Sequence, residues 1–126
     1  MQIPYLVMAS VLVGAALGVL GSQALRAQVP PAAYVVGEIE VENAEAYFKE
    51  YVPSAAKAVI DGGGTYVVRN GKSVSLYGEP PKALAIMRFE SLAKAQAVFG
   101  SKAYTDAKAI GDKYAKFRIY AVEAVP

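Results

Sequence analysis

Along residues 33–126 the apolar positions recur every second residue, then every third or fourth, then every second again, and each change of rhythm marks an element boundary. Tyr34-Val-Val-Gly-Glu-Ile-Glu-Val41 alternates, with Val35, Gly37, Ile39 and Val41 on one face and Tyr34, Val36, Glu38 and Glu40 on the other, which predicts a strand. Asn43 stands where a helix cap belongs. Beyond it Ala44, Tyr47, Phe48, Tyr51, Val52, Ala55, Ala58 and Val59 form one helical stripe, kinked at Pro53 and ended by Asp61-Gly-Gly-Gly64. Thr65-Tyr-Val-Val-Arg69 and Ser73-Val-Ser-Leu-Tyr77 flank Asn70-Gly71, which predicts a hairpin. Gly78-Glu-Pro-Pro81 then breaks the chain before a further strand, Ala83–Phe89. Ser91 caps a helix that turns Leu92, Ala95, Val98 and Phe99 inward; Gly100 interrupts it, and Ser101 restarts it through Tyr104, Ala107 and Ala109-Ile110. Phe117–Val125 is the last strand.

The order β-α-β-β-β-α-β describes an α+β, ferredoxin-like sandwich with one additional hairpin strand. Its two helices cover one sheet face. The other face collects Tyr34, Val36, Leu84, Ile86, Tyr120 and Val122, too apolar a surface to be left to water. A second copy on a two-fold axis is the simplest cover, so a homodimer is expected.

Composition changes the picture at the N-terminus. The first 27 residues hold 18 apolar side chains and no charge before Arg26, the pattern of an export leader. Cleavage near Ala27, or after Ser22-Gln-Ala24, would release a periplasmic or secreted domain. An uncleaved helix would tether the same domain outside the cytoplasm and would be its only link to the membrane. Residues 28–32, Gln-Val-Pro-Pro-Ala, read as a stiff linker and residues 33–126 as a single domain.

The chain of 126 residues has no His, Cys or Trp, and a net charge of +2. That leaves no usual zinc, copper or haem ligand set, no Cys nucleophile, no Ser–His relay and no disulfide. Net charge this small and mixed does not fit a nucleic-acid binder, and the residues call for no cofactor.

On the open face, alternation places Glu38 with Arg88 and Arg118 from the flanking strands, beside Tyr34 and Tyr120. One carboxylate and two guanidiniums around an apolar hollow would suit an anionic, partly aromatic ligand, with Glu38 as a base and Arg88 beside it. The same charges also fit a structural ion pair at a dimer seam, which needs no ligand. Tyr47 and Tyr51, at i,i+4 spacing, are either donors in a cavity or core residues with polar tips; Arg69 sits where a loop meets the sheet.

These residues also resemble a known family. Tyr34–Val41, Ala46-Tyr-Phe-Lys-Glu-Tyr-Val-Pro53, Gly63-Gly-Thr-Tyr66, Gly78-Glu-Pro-Pro-Lys82, Ala85-Ile-Met-Arg-Phe89, Ser91–Ala95, Ser101–Tyr104 and Phe117–Glu123 together are similar to the bacterial domain of unknown function 1330, within the dimeric α+β-barrel superfamily. The resemblance implies a homodimer whose sheets close a barrel around a small cavity. It implies no reaction. Superfamily relatives include cofactor-independent monooxygenases, isomerases and haem enzymes, and this chain lacks the His and the Trp those branches use. Two functions stay open: a barrel that binds a small molecule, acting without cofactor on an organic acid or aromatic compound, and a non-catalytic binding or structural module of the cell envelope.

Overall fold

Ala33–Val41 forms strand β1, Thr65–Arg69 β2, Ala83–Phe89 β3 and Ala115–Glu123 β4. All pair antiparallel in the order β2-β3-β1-β4, which makes β1 central. The computed structural model describes residues 29–126, with Pro31–Pro126 one compact unit; the expected leader lies outside the described residues. No helix among the described residues is long and apolar enough to cross a membrane.

The period of two in β1 sends Val35, Gly37 and Ile39 toward the helices and leaves Tyr34, Val36 and Glu38 on the open face. Val36 stands opposite Ile86 on one side and Tyr120 on the other, and Glu38 opposite Leu84 and Arg118.

Between β1 and β2 the chain passes through one α-turn, α1 (Ala44–Ala46), a π-helical stretch (Tyr47–Tyr51) and helix α2 (Val52–Asp61). Asn43 caps the start, its Oδ1 accepting from the Ala46 N–H at 3.2 Å. The expected kink takes the form of the π turn. Pro53 has no N–H to give and its ring crowds the carbonyl four residues back, so the preceding turn widens and the Val52 N–H bonds to the Tyr47 carbonyl. Tyr47 and Tyr51 are both buried in this turn, whereas Phe48, expected inside, is exposed at its edge. Gly63, at φ 93°, ends the helix. Helices α3 (Leu92–Phe99) and α4 (Lys102–Gly111) part at Gly100, capped by the hydroxyls of Ser91 and Ser101.

The additional hairpin strand does not form. Asn70 takes a positive φ as a turn residue, but Ser73–Tyr77 stays irregular and β2 pairs with β3 instead. The physical reason is that Val74 and Leu76 would present an apolar face with nothing to bury it; Leu76 is 85% exposed. The Ser75 hydroxyl bonds locally to the Gly78 carbonyl, a turn that competes with a ladder. The architecture is therefore β-α-β-β-α-β, four strands with helices on one face.

Candidate functional site

Between the helix layer and the sheet lies a chamber of about 530 Å³ of unfilled space, part of it continuous with solvent. It exists where the central strand carries Gly37, which contributes no side chain. Apolar groups such as Ile39, Met87, Phe99 and Phe117 make most of its wall. Its polar groups are the phenols of Tyr47, Tyr51, Tyr66 and Tyr104, the guanidinium of Arg69 and the amide of Asn70.

Arg69 reaches the chamber through a fault in the strand. In a regular strand, positions 66 and 69 face opposite ways. Here the β2–β3 register shifts between Tyr66 and Val68: Tyr66 stands opposite Met87 and Arg69 opposite Ala85, both on the helix side. The Arg69 guanidinium lies 4.8 Å from the Tyr66 ring centroid, a cation–π contact. It is the only charged lining residue and has no carboxylate partner among the described residues.

The phenols are neutral. Burial, reinforced by Tyr104, pushes the Tyr47 pKa up to about 12. Burial is also the main cause of the rises at Tyr51, Tyr66 and Tyr104, while Arg69 draws Tyr66 partly back. Tyr51 and Tyr104 share a buried hydroxyl–hydroxyl hydrogen bond of 2.9 Å. With no carboxylate, imidazole or thiol in its wall, the chamber holds no side chain that is a base at neutral pH.

The residues singled out in the sequence divide between the two sheet faces. Tyr47 and Arg69 line the chamber. Tyr34, Glu38, Arg88, Arg118 and Tyr120 lie on the open face. There Arg118 Nε stands 3.8 Å from Glu38 Oε2, and interaction with the same carboxylate raises the Tyr120 pKa. Arg88 is not part of this group: it stands opposite Tyr34, four positions and roughly 13 Å along β1 from Glu38. The structure thus joins Glu38, Arg118 and Tyr120 and leaves Arg88 apart within one protomer. Tyr51, for which the sequence leaves open a cavity donor or a core residue, is both buried and in the wall. Tyr66, Tyr104 and Asn70 line the chamber too, although nothing in the sequence marks them for it; the bulge that turns Arg69 inward has no signature in Thr-Tyr-Val-Val-Arg.

A four-stranded antiparallel sheet backed by helices on one face, with a hollow between the layers, defines the α+β-barrel class of the ferredoxin-like folds. Within that class the chain belongs to the family Domain of unknown function (DUF1330), whose model matches residues 32–125. Solved structures agree on the fold. A protein of unknown function from Rhodopseudomonas palustris superposes with a TM-score of 0.61 at 17% identity, over 82% of this chain and 91% of that one. SnoaB, a cofactor-independent oxygenase from Streptomyces nogalater, superposes with a TM-score of 0.56 at 10% identity, over 76% of this chain and 95% of that one. A candidate antibiotic biosynthesis monooxygenase from Caulobacter crescentus CB15 gives 0.56 at 18% identity, over 78% and 93%. At these identities the likeness concerns the fold alone. No curated protein matches the chain.

Proposed function

We propose that the protein binds a small organic acid with an apolar, ring-bearing body, in the chamber between helices and sheet, with Arg69 as the counter-ion. The observation that carries this reading is the Arg69 guanidinium, unpaired and turned by the bulge into an apolar wall that holds no acid. A guanidinium offers a carboxylate two parallel donors, and the phenols add neutral donors without repelling an anion. In this setting the protein is an exported homodimer: the leader of residues 1–27 directs it out of the cytoplasm, and the apolar open face meets a second copy.

Titration of the purified protein with benzoate, followed by calorimetry or NMR, tests the assignment. Arg69→Met should weaken benzoate binding by about 10- to 100-fold, the usual worth of a charge-assisted contact. Arg118→Met, on the opposite sheet face, should leave it unchanged. Equal binding of benzoate and neutral benzyl alcohol would sink the reading.

A second reading is favoured by the cluster of Glu38, Arg118 and Tyr120. In a sheet-to-sheet dimer these groups and Arg88 from both copies would surround a hollow at the seam, where Glu38 could serve as a base on a small ligand. Glu38→Gln would then reduce binding or turnover, whereas Arg69→Met would not.

A further inference from the structure

We propose that the paired hydroxyls of Tyr51 and Tyr104 form a second polar subsite in this chamber, donating to a hydroxyl or carbonyl oxygen that the bound acid carries on its ring away from the carboxylate. The proposal rests on the reading of the chamber as an acid-binding site and narrows its ligand to oxygenated ring acids, such as hydroxy- or keto-substituted ones.

Proton counting comes first. Each phenol carries one proton and can also accept. The 2.9 Å bond between the two hydroxyls uses one of their two protons, and neither hydroxyl has another partner among the described residues. One O–H is therefore left over. Tyr51 and Tyr104 are only 6% and 4% exposed, so bulk water does not satisfy it freely. The spare proton belongs to the hydroxyl that accepts from its neighbour, and accepting a hydrogen bond makes that group a stronger donor.

Position and rigidity point the same way. Arg69 is exposed and the tyrosine pair is buried, and all three line the same chamber. The Tyr51 ring is held against Gly111, where a Cβ would come within 2.6 Å of it, and lies 5.0 Å from the Phe117 ring. Tyr104 packs on Phe99 at 4.3 Å between centroids. Donors fixed in this way cost no ordering when a ligand oxygen arrives. Both phenols, like any tyrosine, are protonated at neutral pH, which suits an oxygen acceptor with partial or full negative charge.

The test compares para-hydroxybenzoate with para-methylbenzoate, which has the same shape but no second oxygen. In the wild-type protein the hydroxy acid should bind at least about tenfold tighter. Tyr51→Phe and Tyr104→Phe should each reduce that preference, and the double variant Y51F/Y104F should erase it while keeping para-methylbenzoate within about threefold of wild type. Ring resonances of Tyr51 and Tyr104 should move with the hydroxy acid and not with the methyl acid, a readout that needs no variant. No preference in the wild-type protein, or an undiminished one in the double variant, overturns the subsite. Para-methylbenzoate binding without that preference removes the subsite and leaves the acid-binding chamber standing; failure of either acid to bind removes both.

Discussion

Tyr47 is 3% exposed and its hydroxyl has no hydrogen-bond partner among the described residues, so the fold favours its neutral form chiefly by burial, with Tyr104 and Tyr66 adding to it. The unfolded phenol ionises near pH 10 and the folded one near 12, so Tyr47 contributes fully to stability below pH 10 and loses that contribution as pH rises through 12. Between about pH 9 and about pH 11 the loss is roughly 1 kcal/mol. Urea melts of the wild type and Tyr47→Phe at those two pH values check this: the wild type should lose more stability than the variant by about that amount, and parallel losses would refute it. Of the chamber's residues, the sequence makes Tyr47, Tyr51 and Arg69 visible as candidates, because tyrosines at i,i+4 spacing and an arginine beside a turn stand out. Tyr66 and Tyr104 look like ordinary core positions. Their role depends on which tyrosines the fold gathers, and that is a tertiary property. Glu38 drew attention by alternation and does share a face with Arg118 and Tyr120; Arg88 is kept away by register, which alternation does not specify.

At the scale of elements, β1, β3 and the helix caps at Asn43, Ser91 and Ser101 are all legible, because each rests on local periodicity or on one side chain satisfying a helix end. Two departures share a cause. Ser73–Tyr77 has the alternation of a strand but no layer to bury it, and β2 has the alternation of a regular strand but carries a bulge. In both places pairing partners far along the chain decide the outcome. The chamber itself is a gap in an element, since Gly37 sits at the centre of the central strand with no side chain on its helix face. A Cβ there would meet only the Ala85 carbonyl oxygen at 3.7 Å, an ordinary contact, and the position needs no positive φ. Gly37→Val should therefore fold, gain roughly 0.5–1 kcal/mol from strand preference and lost chain entropy, and put its methyl groups into the chamber. Thermal melts should show an unchanged or higher midpoint and benzoate titration should show no binding. A stable variant that still binds benzoate would place the ligand elsewhere, with the Glu38–Arg118–Tyr120 face next to be tried.

At the scale of the molecule, helices shield one sheet face, and nothing among the described residues shields the other. Val36 lies at its middle, flanked by Ile86 and Tyr120, with Tyr34, Leu84 and Val122 around it; Tyr120 and Val122 are among the exposed large apolar residues. The Glu38–Arg118 ion pair on that face is too exposed to contribute more than about 1 kcal/mol, and its charges do not make the face a wet one. A copy of the same sheet brings the same apolar centre and the same charges in reverse order along the two-fold axis, so each Arg118 and Arg88 gains a possible carboxylate across the seam. Val36→Glu would put an unpaired carboxylate at the centre of that seam, and truncating or opposing a buried contact in this way costs several kcal/mol. The wild-type protein should run as a dimer by light scattering at micromolar concentration, and Val36→Glu should raise the dissociation constant by at least about 100-fold, giving a folded monomer. A mutation on the helix side would not separate the copies, whereas Val36→Glu leaves the chamber wall intact, so the monomer can also be titrated with benzoate. Retained binding in the monomer assigns the chamber to each protomer alone, and loss of binding assigns the ligand to the seam.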